Sequence, residues 1–239
     1  MNRTTHARSG APRLRVGGLL PLTTIDYPGE LAAVVFCQGC PWRCRYCQNG
    51  SLIGSAAESP IPWPEVMAFL ERRRGLLDAV VFSGGEPTLQ SGLPAAMRAV
   101  RGLGFKVGLH TAGPYPSRLA ALLPLLDWVA LDIKALPADY GAITGVAGSG
   151  ARAWESLRVL QAAGVDLEVR TTALPGWGPD DLRRLAAALA RAGVSHYAVQ
   201  ACRTRQVLDP TLPAPNVPLE RLATSIDLQP FTQLTLRAE

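Results

Sequence analysis

Six short β-rich runs recur along the chain with helix-length segments between them, and this alternation constrains the fold more than any other feature. The runs are Ala32–Phe36, Ala79–Phe82, Phe105–Leu109, Trp128–Ile133, Leu167–Thr172 and Tyr197–Gln200. Most are continuously apolar, as in strands of a parallel sheet covered on both faces. The intervening segments predict helices over Pro64–Arg74, Leu93–Leu103, Ser117–Leu123, Arg152–Ala163 and Asp180–Ala192. Pro64 suits a first helical turn, where its missing N–H has no partner to lose. Three helices end alike, at Leu103-Gly104-Phe105, Ala163-Gly164-Val165 and Ala192-Gly193-Val194. A glycine there takes the left-handed conformation that stops a helix before the next strand. The pattern implies parallel strands joined by right-handed crossovers. Six units fall short of a closed eight-stranded barrel. The economical architecture is therefore α/β: an open partial (β/α)6 TIM-like barrel with its active groups at the C-terminal strand ends.

The barrel is expected over residues 16–208, beginning with a short N-terminal segment, Val16 to Gly29. Residues 1–15 read as a disordered basic tail and 209–239 as a proline-punctuated C-terminal extension. Within that extension Pro210, Pro213, Pro215 and Pro218 make Asp209–Pro218 an extended connector. The net charge of +5 is concentrated in the tail, because Arg3, Arg8, Arg13 and Arg15 precede the first acid, Asp26, and removing those four leaves +1. With no basic stripe interleaved with aromatics, nucleic acid is not an expected partner. Every apolar run is interrupted well short of the roughly 18 residues of a membrane span, and no apolar segment follows the basic start as a signal peptide requires. No membrane association is expected, and the cytoplasm is the expected compartment.

Four of the five cysteines, Cys37, Cys40, Cys44 and Cys47, follow the first apolar run, while Cys202 stands alone. An odd count with tight spacing points to metal chemistry in a reducing compartment rather than to a disulfide framework. The last three are spaced C-x3-C-x2-C. Three such thiolates can hold three irons of a [4Fe–4S] cube and leave the fourth open to an exogenous ligand. Two alternatives remain at this point. The four cysteines also form two CxxC pairs, although zinc ribbons separate their pairs by a dozen or so residues. A closed four-cysteine electron-transfer cluster is the other. Cys37, at the strand end, reads better as a small buried hydrophobe than as a ligand.

The second chemical motif, Ser83-Gly84-Gly85-Glu86-Pro87, follows the next strand directly. Its glycines let backbone approach a ligand closely, and Glu86 offers a carboxylate to a cationic amine. With the cysteine motif one strand earlier, the chain resembles the radical S-adenosylmethionine (SAM) superfamily. Three segments narrow the likeness: Thr24-Ile-Asp-Tyr-Pro-Gly29, Gln38-Gly-Cys-Pro-Trp-Arg-Cys-Arg-Tyr-Cys-Gln-Asn49 and Leu131-Asp-Ile-Lys134. They resemble the anaerobic ribonucleoside-triphosphate reductase activating proteins, which are glycyl-radical activases. The likeness runs from about Val16 to Arg203.

The resemblance implies that Cys40, Cys44 and Cys47 hold the cluster, and that Gly84, Gly85 and Glu86 meet the SAM methionine amine. It places Tyr46 and Gln48 of the cluster motif near the cofactors, with Gln48 standing where a histidine is often found. His110 and Ala112 depart from an Asp-Thr-Asn-Gly pattern of many activases that in some relatives binds a monovalent cation. His110 is a candidate for the SAM pocket or for proton handling, against a structural, hydrogen-bonded histidine. Asp132 and Lys134 would contact the SAM ribose and carboxylate region. Lys134 is one of two lysines against 22 arginines, which suggests a site that wants a compact ammonium; a rim salt bridge is the plainer alternative. Arg170 matches an arginine that holds the SAM carboxylate, a task its fork suits, against a structural ion pair. Cys202 receives no role.

What the resemblance implies is an enzyme with a [4Fe–4S] cluster and S-adenosyl-L-methionine as cofactors, making a glycyl radical on a partner enzyme. That partner would be the anaerobic ribonucleotide reductase catalytic subunit, with flavodoxin or ferredoxin as electron donor. Two other readings stand beside it: a radical SAM enzyme acting on a small molecule, as in deazapurine biosynthesis, and a non-enzymatic iron–sulfur carrier or scaffold. The Ile-Asp-Tyr-Pro-Gly segment favours the activase, and Gly84-Gly85-Glu86 argues against the carrier.

Overall fold

The computed structural model describes residues 14–56 and 60–238. The first thirteen residues of the expected basic tail lie outside them, while Leu14 is buried. Among the described residues eight strands form one sheet in sequence order: β1 (Val16–Thr23), β2 (Ala32–Cys37), β3 (Ala79–Gly84), β4 (Lys106–Thr111), β5 (Trp128–Asp132), β6 (Asp166–Ala173), β7 (His196–Ala201) and β8 (Gln233–Arg237). β1 runs antiparallel to β2, and every later pair is parallel. Among the described residues β1 and β8 do not pair, so the barrel is open.

All six expected strands are present as β2 to β7. The five expected helices are α1 (Trp63–Glu71), α2 (Leu93–Gly102), α3 (Pro116–Leu122), α5 (Ser149–Ala163) and α6 (Pro179–Arg191), with the short α4 (Tyr140–Thr144) and α7 (Leu219–Ala223) in addition. Each packs an apolar stripe on the sheet; α6 buries Leu182, Leu185, Ala186 and Leu189, the i, i+3, i+4, i+7 spacing of one helical face. Gly104, Gly164 and Gly193, at φ +93°, +66° and +83°, take the left-handed conformation anticipated for helix stops. No helix among the described residues is long and apolar enough to cross a membrane.

The architecture exceeds the six-unit expectation at both edges. β1 contains Gly17, Gly18 and Pro21 and exposes Leu22, which disguises it as a loop, although an edge strand tolerates proline. β8 is five residues of alternating character inside the expected extension.

Successive strand residues point to opposite faces. The outward set, including Val35, Phe82, Leu109, Leu131, Val169 and Val199, joins the helices in the main core. The inward set begins with Tyr27, Ala32, Val34, Ala79, Val81, Trp128 and Ala130, an apolar plug at the lower end of the barrel. Tyr27 stacks on Trp128 with ring centroids 4.9 Å apart. Gly108 makes room for it, since a Cβ there would lie 3.0 Å from the Tyr27 ring.

Candidate functional site

Beyond Cys37 the chain loops over the C-terminal end of the sheet through Cys40, Cys44 and Cys47. Backbone hydrogen bonds hold this loop on three sides. The Cys40 N–H donates to the Ile53 carbonyl at 3.1 Å. Arg43 and Arg45 donate to the carbonyls of Thr144 and Ile143 at 2.9 and 3.1 Å, and Leu208 and Asp209 donate to those of Cys47 and Arg45, both at 2.9 Å. α4 and the residues leading into the proline-rich connector therefore brace the cysteine loop. Trp42 is buried beneath it, with its ring edge-on to Tyr140. Cys37 differs from the other three: it faces outward from β2 into the main core, fully buried, and burial pushes its thiol well up.

Gly84 and Gly85 sit where β3 passes under this loop. A Cβ on Gly84 (φ +110°) would lie 2.5 Å from the Cys37 nitrogen, and one on Gly85 would lie 2.4 Å from the Gly39 oxygen. The close approach these glycines permit is to the chain itself. Glu86 then turns away from the site. Its carboxylate accepts from the Thr88 N–H and hydroxyl, the Thr111 hydroxyl and the Ala112 N–H, and it is 1% exposed. Burial raises its carboxyl, against the pull of those hydrogen bonds. In this arrangement Glu86 ties β3 to β4, with three of these hydrogen bonds on Oε1 and one on Oε2.

The other sequence-nominated residues come together. Cys40, Cys44, Cys47, Tyr46 and Gln48 from the loop, with Gly84, Gly85, His110, Asp132, Lys134 and Arg170 from the strand ends, border one cavity of about 250 Å³. Trp42, Asn49, Ser83, Thr111, Ala112 and Gln200 border it too, and sequence reasoning nominated none of them. For Ser83 and Gln200 a signal existed: they share inward strand parity with His110, Asp132 and Arg170.

The charges are arranged in two groups. Lys134 Nζ donates to Asp132 Oδ2 at 3.0 Å and lies 5.4 Å from the Tyr46 ring centroid. Burial works to depress this ammonium, but the Asp132 carboxylate overrides it and holds Lys134 above its usual value. The same ammonium opposes the rise that burial imposes on the Cys44 thiol. On the other wall, His110 Nδ1 lies 3.3 Å from the Ser83 hydroxyl, and its Nε2 lies 2.7 Å from the Asp26 carbonyl and 3.2 Å from Arg170 Nη1. Burial first, and the Arg170 charge second, push His110 down to about 4, so the ring is neutral at physiological pH. Arg170 stacks over Trp128 and pairs through Nε with Glu168. Its Nη2 is buried and has no hydrogen-bond partner among the described residues, and neither has the buried Trp42 Nε1.

Such a site fits an anionic ligand beside a thiolate-held metal group. Arg170 and Trp42, both with an unmet donor, border the same cavity as the three thiols. Among the described residues no three His, Cys, Asp or Glu side chains converge on a point that one metal ion could occupy. A cubane sets its thiolates on separate irons, so three spaced thiols on one wall suit a cluster better than a single zinc ion.

Comparison with known proteins agrees with this chemistry. The family model for the radical SAM superfamily matches residues 34–189. The pyruvate formate-lyase-activating enzyme of Clostridium pasteurianum is 30% identical over 181 residues, 72% of this chain and 74% of that protein. MJ1227 of Methanocaldococcus jannaschii, provisionally named a glycyl-radical enzyme activating enzyme, is 34% identical over 135 residues, 50% of each chain; the chain thus spans about half the length of that relative. The crystal structure of Streptococcus suis SuiB bound to S-adenosylmethionine matches with a TM-score of 0.66 over 84% of this chain and 48% of that one, at 16% identity, a likeness of fold alone. With a family match across most of its barrel and an activating enzyme as a relative over most of both chains, this protein belongs to the radical SAM superfamily, whose members use a [4Fe–4S] cluster and S-adenosylmethionine.

Proposed function

We propose that this chain activates a glycyl-radical enzyme by removing a hydrogen atom from a backbone glycine of its partner. When bound, the reduced cluster supplies the electron that cleaves the S–C5′ bond of SAM, and the 5′-deoxyadenosyl radical released is the species that takes the hydrogen. Cys40, Cys44 and Cys47 are the cluster ligands in this reading, and their braced loop keeps them at the mouth of the barrel. Arg170 receives the SAM carboxylate through its terminal nitrogens, and the Lys134–Asp132 pair flanks the polar end of the cofactor. His110 stays neutral and adds no second positive charge beside Arg170. Trp42 and the barrel plug keep water from the lower side of the cavity. The observation that carries the reading is that the three cysteines border one cavity with Arg170, whose buried Nη2 has no partner among the described residues.

The partner we assign is the catalytic subunit of anaerobic ribonucleoside-triphosphate reductase, with flavodoxin or ferredoxin as reductant. Support comes from the Thr24–Gly29 segment, whose Asp26 carbonyl reaches His110 on the inner wall. The barrel is unclosed between β1 and β8 among the described residues, and we assign that edge to the partner's glycine-bearing loop. The five cysteines, all unpaired, suit a reducing cytoplasm. The test is an EPR spectrum after anaerobic incubation of the reduced, reconstituted chain and SAM with the purified reductase subunit. A glycyl doublet is expected. If 5′-deoxyadenosine accumulates without a doublet, the assignment of this partner is wrong, and a doublet on pyruvate formate-lyase instead would redirect it.

A further inference from the structure

Behind the cavity wall three charged side chains form a relay that no site motif contains. Arg237, on β8, donates Nη1 and Nη2 to the two oxygens of Glu168 at 2.9 and 3.0 Å. Glu168 Oε1 also accepts from Arg170 Nε at 2.5 Å. Arg237 reaches across β7, whose inner-face residue paired with Arg170 is only Ala198. Glu168 and Arg170 are 6% and 8% exposed, so two buried or half-buried guanidinium groups share one carboxylate and one positive charge is left unneutralised.

Arg170, which carries that surplus, borders the cavity. Arg170 Nη2 has no partner among the described residues, and Nη1 meets only His110 Nε2 at 3.2 Å. The Asp26 carbonyl, an acceptor only, lies 2.7 Å from the same Nε2. That nitrogen therefore carries the imidazole proton and cannot accept from Nη1. Both terminal nitrogens of Arg170 keep donors to spare, in the planar spacing of a carboxylate.

We propose that Arg237 is a positioning residue which, through Glu168, holds Arg170 with its two terminal nitrogens presented to the cavity as the fork for the SAM carboxylate. The inference rests on the proposed contact between Arg170 and that carboxylate. With both Glu168 oxygens gripped by Arg237, only the Nε of Arg170 remains bound on that side. Without Arg237, Glu168 is free to take Arg170 side-on through Nε and Nη2 together, turning the fork away from the ligand. The last strand of the chain is then part of the cofactor site.

The test measures binding without turnover. Full-length protein is reconstituted anaerobically and left oxidised, and equilibrium dialysis gives the affinity for SAM and for 5′-deoxyadenosine, which lacks the carboxylate. Arg237→Ala and Arg170→Ala should each weaken SAM about tenfold, the scale of a lost charge-assisted hydrogen bond, and leave 5′-deoxyadenosine unchanged. The double variant should bind SAM no more weakly than Arg170→Ala alone, because one residue acts through the other. Arg237→Lys should recover only part, since an ammonium cannot grip both oxygens. Unchanged SAM affinity in Arg237→Ala, with Arg170→Ala weakened, overturns the relay but leaves the Arg170 contact standing. Unchanged affinity in Arg170→Ala removes the contact and the relay together. If Arg237→Ala does not fold, Glu168→Gln carries the test, with several-fold weakening expected and no change contradicting the proposal.

Discussion

In the lower layer of the barrel interior Tyr27 stacks on Trp128, and Val34, Val81 and Ala130 close around them. Two residues further along the same strands, Ser83 follows Val81, Asp132 follows Ala130, and His110 and Arg170 share their inner face. The lower layer is packed aromatic and aliphatic surface, and neither Tyr27 nor Trp128 has a buried side-chain polar atom left without a partner among the described residues. The upper layer carries charge and retains unmet donors on Arg170 and Trp42. A buried guanidinium nitrogen with no acceptor is costly in the folded state, and such a cost persists where a ligand relieves it. Glu86 and Arg170 repeat the contrast at the scale of single residues. One carboxylate accepts four hydrogen bonds from its own chain, while the guanidinium across the barrel pairs with Glu168 through Nε and has no partner at Nη2 among the described residues.

The contrast is broken most severely at the thiols. Cys40→Ala, Cys44→Ala and Cys47→Ala should each abolish iron retention and the iron–sulfur absorbance after anaerobic reconstitution, whereas Cys37→Ala, a core substitution, should keep both. Loss of the cluster in the Cys37 variant alone would reverse the ligand assignment. In the plug, Trp128→Ala should cost about 3–5 kcal/mol in denaturant unfolding, as for other deleted core aromatics. Ser83→Ala, in the layer above, should stay within about 1 kcal/mol. Equal costs would deny that the two layers differ.

Gly85→Ala comes next. Its new methyl would meet the Gly39 carbonyl oxygen at 2.4 Å, so β3 and the cysteine loop must separate, at about 1–3 kcal/mol and with reduced iron occupancy. The last effect is a pH dependence. Burial and the Arg170 charge hold His110 at about 4 against its ordinary 6.5, so the unfolded chain takes up this proton at higher pH than the folded one. The stability that depends on the neutral ring is complete above about pH 6.5 and is lost as pH falls toward about 4. Unfolding free energies measured across that window should decline less steeply for His110→Gln than for the parent; equal slopes would mean that the ring titrates normally.

The strands and their order were legible because parallel strands buried on both faces leave unbroken apolar runs, as in Ala79–Phe82. The cluster loop was legible because thiol spacing is local in sequence. What stayed hidden depends on pairing across the fold. β1 and β8 acquire strand conformation from β2 and β7, and their own residues, with Gly17, Gly18 and Pro21 in one and only five positions in the other, do not announce it. The hydrogen bonds that Glu86 accepts from Thr111 and Ala112, 25 and 26 residues away, likewise lie beyond any local motif. Arg237 lies 69 residues from Glu168, a distance at which no local pattern could have joined them. Lys134 illustrates both alternatives at once, since it borders the cavity and also forms the rim pair with Asp132.

The central claim is that Cys40, Cys44 and Cys47 hold a cluster with a coordination position for SAM. Its most direct test is the low-temperature EPR spectrum of the dithionite-reduced, anaerobically reconstituted protein, recorded with and without SAM. The account predicts a [4Fe–4S] signal that changes when SAM is added, accompanied by 5′-deoxyadenosine in the same sample. A signal identical in both samples, or protein that retains zinc in place of iron, would contradict it.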